Sequence, residues 1–318
     1  MAAEPIPGAG LTDLRFLRSS ALDPLFEDEV RCWRERYDWD FTPSASLVRR
    51  FVDQQALTGF ALIDGAQVVG YTYCVTDDPK GLIGDLYVVS GHRDAHSENR
   101  LLAAAVELLM HAPGVCRIET QLMMMEHEPV AWLPGRRYLH RYLRRFMVAQ
   151  VQQGIAGPSR APFPIVPWQD RYQEVAAEVL AESYVGHIDG NINDQYRSLD
   201  GARRFLFNII QYPGCGTFLS RASFLAIDPA CGEPCGLLLT SSVAGDTGHI
   251  TQVCVAPYAR GRGVGRELVR NALSTLRELD YRRCSLTVTA ANTGAIDLYE
   301  QLGFTAAREF PALVWDGF

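Results

Sequence analysis

The sequence predicts an α/β fold carried twice along one chain. Three observations lead there: strand-like and helix-like segments alternate, the second half repeats the order of the first, and the 318 residues suit two domains rather than one. In the first half, Phe60–Asp64 precedes Val68–Gly70, and the apolar strand Leu86–Val89 leads into a helix-like run from Arg100 to Leu109. In the second half, Phe224–Asp228 precedes Gly236–Leu239, and Val253–Val255 leads into a helix from Arg266 to Leu279. The offset is about 164 residues for the first pair of segments and about 167 for the second, as expected of an internal duplication. Between the copies, Gln152–Pro167 is rich in Gly, Pro and Ala and has no helical period, so it reads as a linker running into a new first strand. The division that follows is one domain at 11–151 and another at 163–318.

The second copy reads most clearly. His249–Val255 is a strand. Val264, Leu268, Val269, Ala272, Leu273, Leu276 and Leu279 recur at three- and four-residue spacing, the mark of an amphipathic helix. Cys284, Leu286, Val288 and Ala290 alternate with Ser285, Thr287 and Thr289, as in a half-buried strand. Asn292–Thr293 starts a helix, Ala295–Leu302 continues it and Gly303 stops it.

Composition narrows the function. With 47% hydrophobic and 21% charged residues, the chain is expected to be globular rather than disordered or fibrous. No apolar run approaches the roughly 20 residues that cross a bilayer, and the opening MAAEPIPGAG lacks the basic and apolar regions of a secretory signal. It reads as a short flexible lead-in to a cytoplasmic protein without membrane partners. A net charge of −7 argues against a dedicated nucleic-acid binder. The eight cysteines are scattered, which favours reduced, mostly buried thiols. Cys231 and Cys235 are the one close pair, too little for a zinc site, so no metal is expected.

The segment that carries chemistry is Val255-Ala-Pro-Tyr-Ala-Arg260-Gly261-Arg262-Gly263-Val264-Gly265. Glycines between a strand and a helix let backbone approach an anion, and the open amides of the first helical turn point at it, aided by the helix dipole. Arg260, Arg262 and Arg266 add positive charge. The physics predicts a phosphate or pyrophosphate cradle. A nucleotide P-loop would need Gly-Lys-Ser/Thr, and this loop reads Gly265-Arg266-Glu267. A dinucleotide fold would need Gly-x-Gly-x-x-Gly and an acid near the end of the next strand; here Asp280 precedes that strand. An Arg-Gly tract for RNA fits poorly between clean strand and helix patterns, and a purely structural turn stays open.

Arg260-x-x-Gly263-x-Gly265 after Val253-x-Val255-x-Pro257 resembles the acyl-CoA signature of the GNAT superfamily of N-acyltransferases. Downstream, Asn292-x-x-Ala295-x-x-x-Tyr299-x-x-x-Gly303-Phe304 is similar to the second half of that signature. The two motifs cover about 60 residues, and the duplicated pattern extends the resemblance to tandem-domain members. It implies two GNAT-like domains, each a mixed, mostly antiparallel central sheet flanked by helices. It also implies acetyl-CoA as acyl-donor cosubstrate and direct attack on it, within a ternary complex, by the primary amine of a small molecule.

Residue by residue, the resemblance implies that the backbone of Arg260, Gly261, Arg262, Gly263, Val264 and Gly265 holds the pyrophosphate. Val253, Cys254 and Val255 would pair with the pantetheine arm. Asn292 would contact that arm, or cap the helix, or both. Tyr299, two helical turns beyond Asn292, would protonate the departing thiolate, the alternative being a core tyrosine. A glutamate eleven residues before the Arg260 position often serves family members as base. His249 stands there, and alternation puts it on the face of Thr251 and Val253, away from Cys254. It is a candidate base, or else a surface residue. Cys254 as an acylated nucleophile is a minor variant. Acceptor recognition falls in Glu182–Arg204, through His187, Asp189, Asn191, Asp194 and Tyr196; turn chemistry is the competing reading. In the first copy the loop reads Arg93-x-x-His96-x-Glu98. Both glycines are replaced and a carboxylate stands where the anion belongs, so that copy is expected not to bind CoA. The chain is expected to be a monomer or homodimer. A non-catalytic acyl-CoA sensor or regulatory module is the alternative to an enzyme.

Overall fold

A strand's hydrogen-bonding partner is not written in its own residues, and two strands here pair far from their sequence neighbours. The computed structural model describes residues 10–77, 79–151, 163–212 and 214–318; most of the expected linker, 152–162, lies outside them. In chain order the first elements are β1 (Gly10–Asp13), α1 (Asp23–Tyr37), α2 (Thr42–Asp53), β2 (Thr58–Asp64), β3 (Gln67–Asp77) and β4 (Lys80–Val88). Next come α3 (Ala95–Met110), β5 (Arg117–Gln121), β6 (Leu139–Gln150), β7 (Ile165–Pro167) and α4 (Gln173–Ser183). Then follow the one-turn α5 (Asp189–Ile192), α6 (Leu199–Gln211), β8 (Thr217–Phe218), β9 (Phe224–Ile227) and β10 (Pro234–Ala244). The last are β11 (Thr247–Val255), α7 (Val264–Glu278), β12 (Arg283–Thr289), α8 (Thr293–Gln301) and β13 (Thr305–Asp316).

The chain divides into two compact units. The first comprises the described residues up to Tyr142 together with Phe310–Phe318; the second is Leu143–Glu309. These limits differ from the division at the linker, because 143–151 belong to the second unit and 310–318 to the first. In the first unit the strand order is β1-β2-β3-β4-β5-β13, with β13 antiparallel to β5 from Ala312↔Gln121 to Asp316↔Arg117. In the second, β6 lies antiparallel to β12 from Arg283↔Gln150 to Thr289↔Arg144, and the order continues β11-β10-β9-β7. One parallel pair sits in each sheet, β4–β5 and β11–β12, and the other registered pairs are antiparallel. Each unit is thus a mixed, mostly antiparallel sheet flanked by helices.

Burial follows the sequence periods. On α7 the apolar positions Val264, Leu268, Val269, Ala272, Leu273 and Leu276 are all buried in one core with β9–β12. The opposite face of that sheet is covered by α4 and α6 through Ala177, Leu180, Ala202 and Leu206. In the first unit α3 packs Leu101, Leu102, Ala105, Val106 and Leu109 on the sheet. Five cysteines are buried (32, 74, 235, 254 and 284), and Cys116, Cys215 and Cys231 are exposed. No described helix is long and apolar enough to cross a membrane.

The first unit buries a carboxyl with consequences for stability. Glu29 of α1 is fully buried and accepts a bond from Trp33 Nε1 at 3.3 Å. Burial, then the charge of nearby Asp85, pushes its pKa well above the usual carboxylate range. Asp85 accepts from Tyr71 Oη at 3.0 Å and from the Leu86 amide at 2.7 Å. A raised folded-state pKa means stabilisation that is complete below the unfolded value, about 4.3, and is lost as pH rises through the folded value. Glu29→Gln keeps the Trp33 bond but cannot ionise. Its melting temperature relative to wild type is expected to climb as pH rises above the unfolded value, about 4.3; parallel profiles would disprove the buried neutral carboxyl.

Candidate acyl-transfer site

The parallel pair of the second unit runs out where a bulge begins. β11 and β12 are registered from Thr247↔Arg283 to Ile250↔Leu286, whereas β11 continues to Val255 and β12 to Thr289. On the other edge of β11 the register with β10 slips between Leu239↔Gln252 and Thr240↔Ile250, leaving Thr251 as the extra residue. A bulge bends and twists its strand, so the parallel strands part. Their facing backbone edges then lack strand partners. A cavity of about 410 Å³ opens there, lined among others by Thr251–Val255, Leu286–Val288, Arg260, Gly265, Asn292 and Tyr299.

The bulge also overturns simple alternation. A Cβ built on Gly248 would meet Leu276 of α7 at 2.9 Å, and Ile250 joins the α7 core. Past Thr251 it is Val253 and Val255 that pack on that core, while Cys254 joins the α4–α6 side. His249 therefore shares a face with Cys254 and not with Val253, correcting the alternation argument. It does not line the cavity. Its ring is buried, 2.9 Å from Ser285 Oγ through Nδ1 and stacked on Phe146 at 6.2 Å. Burial, then the charge of Arg144, lowers its pKa to about 3. This placement does not suit the base role that the sequence spacing offers it.

Beyond β11, Arg260 ties the turn: Nε donates to the Val255 carbonyl at 3.1 Å and Nη2 to the Ser183 carbonyl. Gly261 and Gly263 have φ of 71° and 85°, a left-handed conformation that costs other residues about 1–2 kcal/mol. Gly263 is the N-cap of α7 and no side chain caps that helix, so its first-turn amides remain available to an anion. These features fit a pyrophosphate. Gly265 lines the cavity, and a Cβ there would make ordinary contacts at 3.6 Å with Leu298 and 3.7 Å with Val255. Arg262 lies over the Phe163 ring at 4.5 Å and Arg266 donates to Gln301 at 3.0 Å. Gly261, Arg262, Gly263 and Val264 build the loop without lining the cavity, and the Val264 side chain belongs to the core.

The equivalent place in the first unit is closed by its own chain. Arg93 repeats the Arg260 bond, Nε to the Val88 carbonyl at 3.1 Å. Asp94, however, caps α3 by accepting from the Ser97 amide at 2.7 Å. Glu98 turns inward and accepts the amides of Glu126 and His127 at 3.1 and 2.9 Å. Asn99 receives the Val130 amide at 3.0 Å, so residues 126–130 lie against the first turns of the helix. The gap between β4 and β5 is bridged by Thr120 Oγ1, which donates to the Ile83 carbonyl at 2.8 Å.

On the acceptor side, His187, Asp189 and Tyr196 line the cavity, whereas Asn191 and Asp194 do not. Asn191 instead accepts from Arg197 Nη2 at 3.3 Å. Asp189 receives Arg144 Nη1 at 3.1 Å and the Thr289 hydroxyl. His187 Nδ1 accepts the Asp189 amide at 3.2 Å, and its Nε2 lies 3.4 Å from Asn292 Nδ2. Asn292 also caps α8 through the Ala295 amide at 3.3 Å. Burial raises the phenol pKa of Tyr299 and lifts the Cys254 thiol to about 12. Among the lining residues not expected from sequence are Arg144, Tyr184 and Gln252. Tyr184 stacks on Tyr196 at 4.3 Å and accepts from Gln252 Nε2 at 3.0 Å. A glutamine amid apolar strand residues was a signal for Gln252; nothing near Arg144 in sequence marked it.

The acetyltransferase (GNAT) family matches residues 182–304, which contain the loop, the parted strands and α8. A mycothiol acetyltransferase from Thermobispora bispora is 44% identical over 61 residues, 19% of this chain and 21% of that protein. A putative ribosomal protein bS18-alanine N-acetyltransferase from Bacillus subtilis is 38% identical over 58 residues, 18% of this chain and 38% of that protein. The matched segments thus span about a fifth to two fifths of these relatives. Over nearly the whole chain the fold is similar to a GCN5-related N-acetyltransferase from Sphaerobacter thermophilus, with TM-score 0.68, 16% identity and coverage of 96% of this chain and 95% of that one. It is also similar to a tandem GNAT protein from the clavulanic acid biosynthesis pathway, with TM-score 0.63, 15% identity and coverage of 98% and 99%. The glycine loop and the parted parallel strands thus lie in the segment that matches the GNAT acetyltransferase family, and the chain as a whole has a fold similar to that of a tandem GNAT protein.

Proposed function

We propose that the second unit transfers an acetyl group from acetyl-CoA to a primary amine of a small molecule by direct attack in a ternary complex. The observation that carries this reading is the cavity at the parted β11–β12 edges, with the uncapped N-terminus of α7 beside it. Bound acetyl-CoA would supply the activated thioester. The amides around Gly263–Gly265 would hold its pyrophosphate, and the open edge of Val253–Val255 its amide-bearing arm. Tyr299 is kept protonated by burial and can give a proton to the leaving thiolate. The amine must lose a proton. Asp189 is held by Arg144 and Thr289, and the cavity's buried thiol and phenols resist ionisation. His187 Nδ1 already accepts the Asp189 amide, so the neutral ring carries its hydrogen on Nε2, and we assign removal of the amine's proton to solvent in the open cavity. A Cys254 acyl intermediate is disfavoured by its raised thiol pKa. The first unit, self-capped and bridged, would not bind CoA.

The test is release of free CoA from acetyl-CoA with a panel of amines, beside calorimetric titration. One binding site and thiol release are expected. Tyr299→Phe is expected to lower kcat about 100-fold with acetyl-CoA affinity near wild type. Binding without turnover across the panel would favour an acyl-CoA-binding module instead. Loss of affinity in Tyr299→Phe would make the residue structural.

A further inference from the structure

We propose that Arg144 anchors a carboxylate of the acceptor, so that the substrate is an amino acid or a similar carboxylate-bearing amine; this rests on the acetyl-transfer reading. Arg144 comes from β6 and its side chain is 11% exposed, lining the cavity. Its Nη1 donates to Asp189 at 3.1 Å and to Thr289 at 2.8 Å, and its Nη2 to Thr287 at 3.2 Å. A guanidinium has five N–H donors, so two are uncommitted, and Nε is buried without any partner. A buried donor left open is unfavourable, and a guanidinium with two spare donors is suited to a carboxylate.

Charge points the same way. The arginine and carboxylate side chains that line the cavity are Arg144, Asp189 and Arg260. Asp189, the lining carboxylate, is already paired with Arg144 and bonded by Thr289, while Arg260 is bonded to two backbone carbonyls. An entering ammonium therefore meets no unpaired carboxylate, and an entering carboxylate meets a partly desolvated guanidinium with spare donors. Arg144 also touches Asp189, in the connection between α4 and α6, where the acceptor is expected, which favours a carboxylate on the acceptor over one on the acyl group.

The experiment uses the full chain with acetyl-CoA and a panel of α-, β- and γ-amino acids, each paired with its carboxamide, and reads thiol release. At least one amino acid is expected to exceed its carboxamide in kcat/KM by about 10- to 100-fold. In Arg144→Gln that ratio is expected to fall toward one, mainly through KM, and Arg144→Lys is expected to restore part of it. A merely structural role would lower both members of each pair alike and leave the ratio unchanged. Turnover of amines without preference for the carboxylate overturns the proposal while leaving the transferase reading intact. No turnover of any amine by a protein that binds acetyl-CoA overturns both. A preference for succinyl-CoA over acetyl-CoA with a neutral amine overturns the acceptor assignment and moves the carboxylate to the donor.

Discussion

Gly263→Glu is expected to abolish acetyl-CoA binding by a protein that still folds. The residue sits at φ 85°, with nothing within 4 Å of where a Cβ would stand, so the change meets no steric obstacle. The left-handed backbone costs a side chain about 1–2 kcal/mol. The larger effect falls on the ligand, because a carboxylate at the N-cap of α7 lies where the pyrophosphate is to be held. It also competes for the first-turn amides as an N-cap side chain. Together these should weaken binding at least about 100-fold. Gly263→Ala separates the contributions, bearing the backbone cost alone, and should lose far less affinity. Titration of both variants, with thermal melts to show folding, decides the matter. Undiminished affinity in Gly263→Glu would move the pyrophosphate elsewhere.

A fragment beginning at residue 163 is expected to lack a cooperative fold. That boundary follows the linker in the sequence, yet it removes β6 from the second unit. β12 then loses its partner from Arg283↔Gln150 to Thr289↔Arg144, and Phe146, Met147 and Ala149, all buried, leave its sheet. Burying side chains such as Phe or Met contributes about 1.5–3 kcal/mol each, against a net stability for a whole domain of about 5–15 kcal/mol. The exposed β12 edge would also invite aggregation. Arg144 departs with the same strand. A fragment from residue 139 onward keeps β6 and is expected to recover a cooperative melt and acetyl-CoA binding. Should the shorter fragment melt cooperatively and bind as the full chain does, the assignment of β6 to the second unit is wrong. The first unit has the converse need, since Leu313 and Trp315 of β13 are buried in its core.

Much of the site was legible because its signals are local. The glycines at 261 and 263 are needed by two backbone φ values, Asn292 by the first turn of its own helix, and the stripe on α7 by a 3.6-residue period. Such requirements act within a few residues and leave their marks in sequence order. The parallel arginines, Arg93 and Arg260, bond the carbonyl five residues upstream in both copies, so the duplication too could be read from local spacing. His249 shows where that reasoning stops. Its face depends on a bulge at Thr251, set by pairing with β10, and one extra residue inverts the alternation on either side of it.

The sequence alone determined the α/β class, the duplicated order of elements, the glycine loop before α7 and the helix that carries Tyr299, because helix periods, strand alternation and turn glycines are short-range requirements. Only the tertiary structure decided that β6 and β13 complete units other than those the linker suggests, that the first unit's helix N-terminus is closed by residues 126–130, and that Arg144 and His187 meet at the cavity with Asp189. Backbone hydrogen bonds are alike at every residue, so a strand carries no label for its partner. Which edge it joins is settled by the packing of elements distant in sequence, and the side chains it brings to a site go with it.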